Sequence, residues 1–126
     1  MNDLQALKSV KMLAPVSAAN TAAATSGWID IRDAIGDIAI TLHTGAITGA
    51  IVWTVNHATA SDGTGDAAFT PDDGVFGTVS ANTVQRRTIK ANALGGWIKC
   101  VGTITTGPVL VAASCTYEPD QPTGST

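Results

Sequence analysis

Charge, aromatic rings, cysteine and long apolar runs are all scarce in this chain of 126 residues, and each scarcity removes a class of function. Only 13 % of the residues are charged, with 7 Lys and Arg against 10 Asp and Glu and a net charge of -3. Phosphate neutralisation needs clustered positive charge, and Arg86-Arg87 with Lys90 is too small a cluster, so no nucleic-acid partner is expected. No apolar run approaches the roughly 18 to 20 residues of a membrane helix. The longest, Val109-Leu110-Val111-Ala112-Ala113, is strand-sized, and no membrane partner is expected. Leu4, Ala6 and Leu7 lie among Asn2, Asp3, Gln5 and Lys8, without the long apolar centre of a secretory signal, which reads as a protein made and used without export. Cys100 and Cys115 form no disulfide framework. They read as buried thiols behaving as small hydrophobes, with a bond formed after register slippage or late oxidation as the alternative.

Groups for catalysis are equally few. Only His43 and His57 titrate near neutral pH, and no Ser lies in a strained elbow motif beside them, so no enzyme and no cofactor are expected. His43 falls on the solvated side of a strand over residues 38–43, opposite Ile38, Ile40 and Leu42. Zinc needs close ligand spacing, and His43, His57, Cys100 and Cys115 come singly. Asp62, Asp66, Asp72 and Asp73 crowd one Gly-rich region, but they depart from the EF-hand order and read as solvated turns rather than a calcium site. Gly63-Thr64-Gly65-Asp66-Ala67-Ala68 fits a loose dinucleotide pattern and fails its context, since Pro71 and Asp72-Asp73-Gly74 stand where a helix would begin.

What is abundant is small: 20 Ala, 18 Thr and 13 Gly. Hydrophobic residues make up 44 %, which argues for a folded chain whose core volume comes from Val, Ile, Leu and three Trp. The length suits a single modest core. Residues 1–26 read as an N-terminal arm and low-complexity linker, with Leu4, Leu7 and Val10 at helical spacing before Pro15; a first strand around Lys11 to Val16 is the alternative. From Gly27 the apolar period becomes two, the mark of half-buried strands. Trp28 to Arg32, Ile38 to Leu42 and Ala50 to Val55 look like a meander. Val75 to Val79 and Thr83 to Ile89 follow a loop region at 58–74, and Trp97 to Thr105 with Val109 to Tyr117 read as a closing hairpin across residues 106–108. The expectation is an all-β domain over 27–117, an antiparallel β-sandwich or jelly-roll-like fold of seven or eight short strands, with a disordered tail over 118–126.

The texture of Ala14-Pro15-Val16-Ser17-Ala18-Ala19-Asn20-Thr21-Ala22, Gly27-Trp28-Ile29-Asp30-Ile31, Gly36-Asp37-Ile38-Ala39-Ile40 and Gly45-Ala46-Ile47-Thr48-Gly49 resembles the small virion structural proteins of tailed bacteriophages. Val79-Ser80-Ala81-Asn82-Thr83-Val84-Gln85 and Gly95-Gly96-Trp97-Ile98-Lys99 fit the same style, and the capsid decoration, or cement, class is the most similar. That resemblance implies a non-enzymatic homo-trimer, assembled in the host cytoplasm, that binds the major capsid protein on the outer surface of the assembled head at capsomer junctions and reinforces the shell. A tail-tube or neck component and a receptor- or carbohydrate-binding virion module are the alternatives. On this reading Leu4, Leu7 and Met12 are arm contacts to the partner, and Trp28, Trp53 and Trp97 are anchors in the core or in subunit interfaces. Arg86 and Arg87 are candidates for polar contacts to an acidic neighbour, or form a charged edge that blocks strand pairing.

Overall fold

The computed structural model describes residues 7–47, 49–105 and 107–119. Nine strands form two antiparallel sheets packed face to face. In chain order they are β1 (Lys8–Ala18), β2 (Ile29–Asp30), β3 (Ala34–Ile47), β4 (Ile51–Ala58), β5 (Ala67–Phe69), β6 (Gly77–Val79), β7 (Thr83–Lys90), β8 (Trp97–Ile104) and β9 (Val109–Pro119), with one 3₁₀ turn at Ala91–Ala93. The first sheet runs β1-β9-β3-β7 and the second β2-β8-β4-β5, with β6 also paired to β4. Apart from β4 to β6, each step along the chain switches sheet. That is the connectivity of a jelly roll, with β5 and β6 together taking the place of one strand.

Period-two alternation builds the core as expected. Ile38, Ile40 and Leu42 of β3, Val109, Val111, Ala113 and Cys115 of β9, Ile51, Trp53 and Val55 of β4, and Ile98 and Cys100 of β8 are all buried between the sheets. Gly102 keeps this interior tight, since a Cβ there would come within 2.6 Å of Ile51 Cδ1 and 3.0 Å of the Trp53 ring. Both cysteines are free thiols in the core. Burial, then the nearby Cys100 thiol, push Cys115 up to about 12, and burial also raises Cys100.

Three expectations about connectivity are corrected. The segments read as a meander do not pair with one another, because β2 and β4 lie in one sheet and β3 in the other. The closing segments are no hairpin either: β8 pairs with β2 and β4, β9 with β1 and β3, and the chain crosses between sheets after β8. Alternation reports which side of a strand is buried but is the same in either sheet, so it cannot choose the partner. The third correction concerns the arm, where the alternative of a first strand around Lys11 to Val16 is the one that forms. Residues 8–18 are the 11-residue edge strand β1, in register with β9 from Lys8 opposite Tyr117 to Ala18 opposite Val109, with irregularities between Lys11 and Leu13 and between Leu13 and Val16. The low-complexity stretch that follows is tied down too. Ala24 is buried, Thr25 bridges to Val101, and the Ser26 hydroxyl accepts the Cys100 N–H at 3.0 Å.

Candidate functional site

The residues singled out in the sequence do not converge on one spot. Leu4 lies outside the described residues, and Leu7 is 40 % exposed just before β1. Met12 is corrected from an arm contact to a core residue, only 5 % exposed, because the irregular stretch of β1 turns its side chain inward. Trp53 is wholly interior, and its indole N–H donates to the Thr44 hydroxyl at 2.9 Å, satisfying both buried polar groups.

Trp28 and Trp97 sit half-buried on the outer face of the second sheet, and cations of the chain itself cover both rings. Lys99 Nζ stands 4.7 Å from the Trp28 centroid, and the Arg32 guanidinium 4.9 Å from that of Trp97. The turn at Gly63 closes over Trp28, so that a Cβ there would come 2.9 Å from the indole nitrogen. Arg32 is gripped by Asp30 through two side-chain bonds of 2.9 and 2.8 Å, which hold the Asp30 carboxyl down to about 2. These rings therefore brace loops rather than present open stacking platforms.

Three of the four loop carboxylates are engaged one by one, and Asp72 is held through its backbone. Asp62 accepts the hydroxyl and N–H of Thr64, Asp66 the Asn56 amide at 2.7 Å, and Asp73 the Thr88 N–H at 2.9 Å, while the Asp72 N–H donates to the Thr88 carbonyl. Among the described residues no three His, Cys, Asp or Glu side chains gather as a metal-holding group. His57 accepts the Gly95 N–H at 3.0 Å and meets Phe69 edge to face. A cleft of about 580 Å³ at one end of the sandwich is lined by Arg32, Asp37, Lys90 and Leu94 among others, without a nucleophile beside a base.

A different surface stands out: the outer face of the β1-β9-β3-β7 sheet. Val84 of β7 is 65 % exposed and Leu110 of β9 47 %. Val84 lies opposite His43, whose other neighbour across the ladder is Ala112, so a largely apolar strip with the exposed His43 at its middle crosses the sheet at this level. Gly45 lets Leu110 lie flat, because a Cβ there would come 2.9 Å from the Leu110 Cβ. Shallow depressions of about 360, 340 and 370 Å³ meet at His43, with Pro15, Leu110, Ala112 and Val84 among their walls. Exposed apolar patches of this kind mark association surfaces. No run of the sequence shows the strip, because its members come singly from separate strands.

The two arginines of β7 have opposite fates. Arg86 is exposed on this outer face, opposite Thr41, whereas Arg87 turns inward over Phe76, 5.8 Å from its centroid.

No protein-family model matches the chain, and no curated protein sequence matches it either. Among solved structures it is similar to the SPBc2 prophage-derived protein YomS, with a TM-score of 0.55 and 8 % identity over 87 % of this chain and 92 % of that one. It is also similar to infectious bursal disease virus VP2 from a subviral particle, with a TM-score of 0.48 and 13 % identity over 94 % of this chain and 34 % of that one. A protein of Bacillus endospore appendage pili follows, with a TM-score of 0.44 and 13 % identity over 90 % of this chain and 88 % of that one. At these identities the likeness is one of fold.

Proposed function

We propose that the chain is a non-enzymatic structural protein of a tailed-phage virion that decorates the outside of the assembled head, binding the major capsid protein at capsomer junctions and reinforcing the shell. The observation that carries this reading is the jelly roll itself, shared over nearly the whole of both chains with a prophage-derived protein. The surface chemistry supports it. Asp62, Asp66, Asp73, Arg32 and Lys99 are held within the fold, and an exposed apolar strip remains on one sheet face. Repetition over a lattice turns a modest patch per copy into firm attachment, most effectively for a trimer whose three faces engage together.

The sheet edges favour face-on docking over polymerisation. On β7, Thr88 has its N–H and C=O occupied by the 72–73 turn, and the Arg86 carbonyl accepts from Arg87. Edge strand β1 carries Lys8, Lys11, Pro15 and two irregularities, and β2, β5 and β6 span only two or three residues each. Each is a device that discourages strand-to-strand growth.

The test is co-sedimentation with heads assembled without this protein, from the phage whose genome encodes it. Saturable binding and a raised melting temperature of the shell are expected. Absence of binding, together with tubes or rings of the chain alone in light scattering, would assign it to the tail or neck instead.

A further inference from the structure

The chain's cations divide into two groups by what holds them. Lys8, Arg32 and Lys99 are each tied to a carboxylate, Asp33 at 3.1 Å, Asp30 at 2.8 Å and Asp66 at 3.9 Å. Among the described residues Lys11, Arg86, Arg87 and Lys90 make no ion pair, and all four belong to the β1-β9-β3-β7 sheet. Arg87 faces the interior. Arg86 and Lys90 alternate with it on the outer side of β7, and Lys11, opposite Ser114, faces out from β1. Three uncommitted cations thus share the outer face that bears the apolar strip: Lys11 and Arg86 stand at the two ends of the row Lys11-Ser114-Thr41-Arg86, the next row along one side of the strip, and Lys90 lies further along β7 in the same direction.

The acidic groups of this face lie elsewhere on it. Asp37 and Glu118 stand near one end, Asp37 opposite Lys90 and Glu118 opposite Ile35, away from Leu110 and Val84. The whole chain carries a net charge of -3, yet the neighbourhood of the strip is positive. Two copies meeting through the same strip would set these cations against each other or against the uncharged row of Gly45 and Leu110, never against a carboxylate, which disfavours a second copy as the occupant. The complement of this surface is an apolar patch with carboxylates along one side.

Building on the decoration reading, we infer that the outer face of the β1-β9-β3-β7 sheet is the docking surface, and that it takes an apolar patch of the shell protein bordered on one side by carboxylates. Leu110, Ala112 and Val84 cover the centre of that patch, while Lys11 and Arg86 meet its carboxylates. The burial of apolar area supplies the affinity, and the charges set orientation and encounter rate.

Two measurements test this. In co-sedimentation with heads, wild-type binding falls as salt is raised, and the double variant Lys11→Glu/Arg86→Glu and the single variant Leu110→Asp each weaken it by at least about tenfold. Thr103→Glu, on the outer face of the other sheet, binds as wild type does; unchanged melting of all three variants shows that each is folded. Variants that bind like wild type, or that alter the solution mass instead of head binding, overturn the inference. The second measurement needs no heads: the wild-type chain is titrated with a peptide of alternating Glu and Leu and followed by amide NMR shifts. Shifts confined to Lys11, Val84 to Arg86 and Leu110 to Ser114 support the surface, and shifts elsewhere or none overturn it. A wild-type chain that ignores heads but passes the NMR test defeats the decoration reading and leaves the acid-binding face standing.

Discussion

Tyr117 is the single tyrosine of the chain and joins three parts of the fold. It is buried at the end of β9, opposite Lys8, and its hydroxyl donates to Asp33 at 2.8 Å while Lys8 Nζ reaches the other Asp33 oxygen at 3.1 Å. Burial, then the bond to Asp33, push the phenol up to about 12 from its ordinary 10.0. The folded chain therefore holds this proton more tightly than the unfolded chain does. The resulting stability is fully present below pH 10 and is lost as pH rises from 10 towards 12. Phenolate absorbance reads this one residue, since no other side chain contributes it. Its midpoint is expected near pH 12 in the native protein and near 10 in denaturant; equal midpoints would show the hydroxyl to be free. At this scale much was legible in advance. The alternation of Ile38, Ile40 and Leu42 against His43 announced which side faces water, and the structure agrees. Met12 was not legible, because Leu4, Leu7 and Val10 at helical spacing masked a strand whose two irregularities break the period of two.

Strand β1 is where a local signal and a tertiary one conflict most. Its sequence offers Pro15 and few large apolar residues, yet β9 has an apolar inner side that would lie open along one edge without it. Pairing covers that edge and places Met12 and Ala18 in the core. Met12→Ala is expected to destabilise the fold by about 2–5 kcal/mol, the range for emptying a buried methionine site. A denaturant titration checks this, and a loss below about 0.5 kcal/mol, typical of exposed positions, would return Met12 to the surface. The strands themselves were largely visible from period-two runs and turn residues. Their partners were not, since in a jelly roll most neighbours in the sheet are distant in sequence: β1 pairs with β9, and β3 with both β7 and β9. Nothing local to residues 97–117 distinguishes a hairpin from a crossing between sheets.

For the whole molecule, the proposed docking surface is assembled from residues 11, 43, 84, 86, 110 and 112, which no linear motif could display. Arg86 was within reach of sequence reasoning as one of two adjacent arginines, but only the register of β7 separates it from its inward neighbour Arg87. The indole rings, conspicuous in the sequence, serve the interior and the loops instead. Low charge, blocked edges and one cationic apolar face are the features on which the decoration proposal rests. The most direct measurement of that claim is electron cryo-microscopy of heads assembled with and without the chain. Added density outside the shell at capsomer junctions, with the β1-β9-β3-β7 face turned inward, is the predicted result. Heads identical in the two samples, with the chain found in the tail or neck, would contradict it.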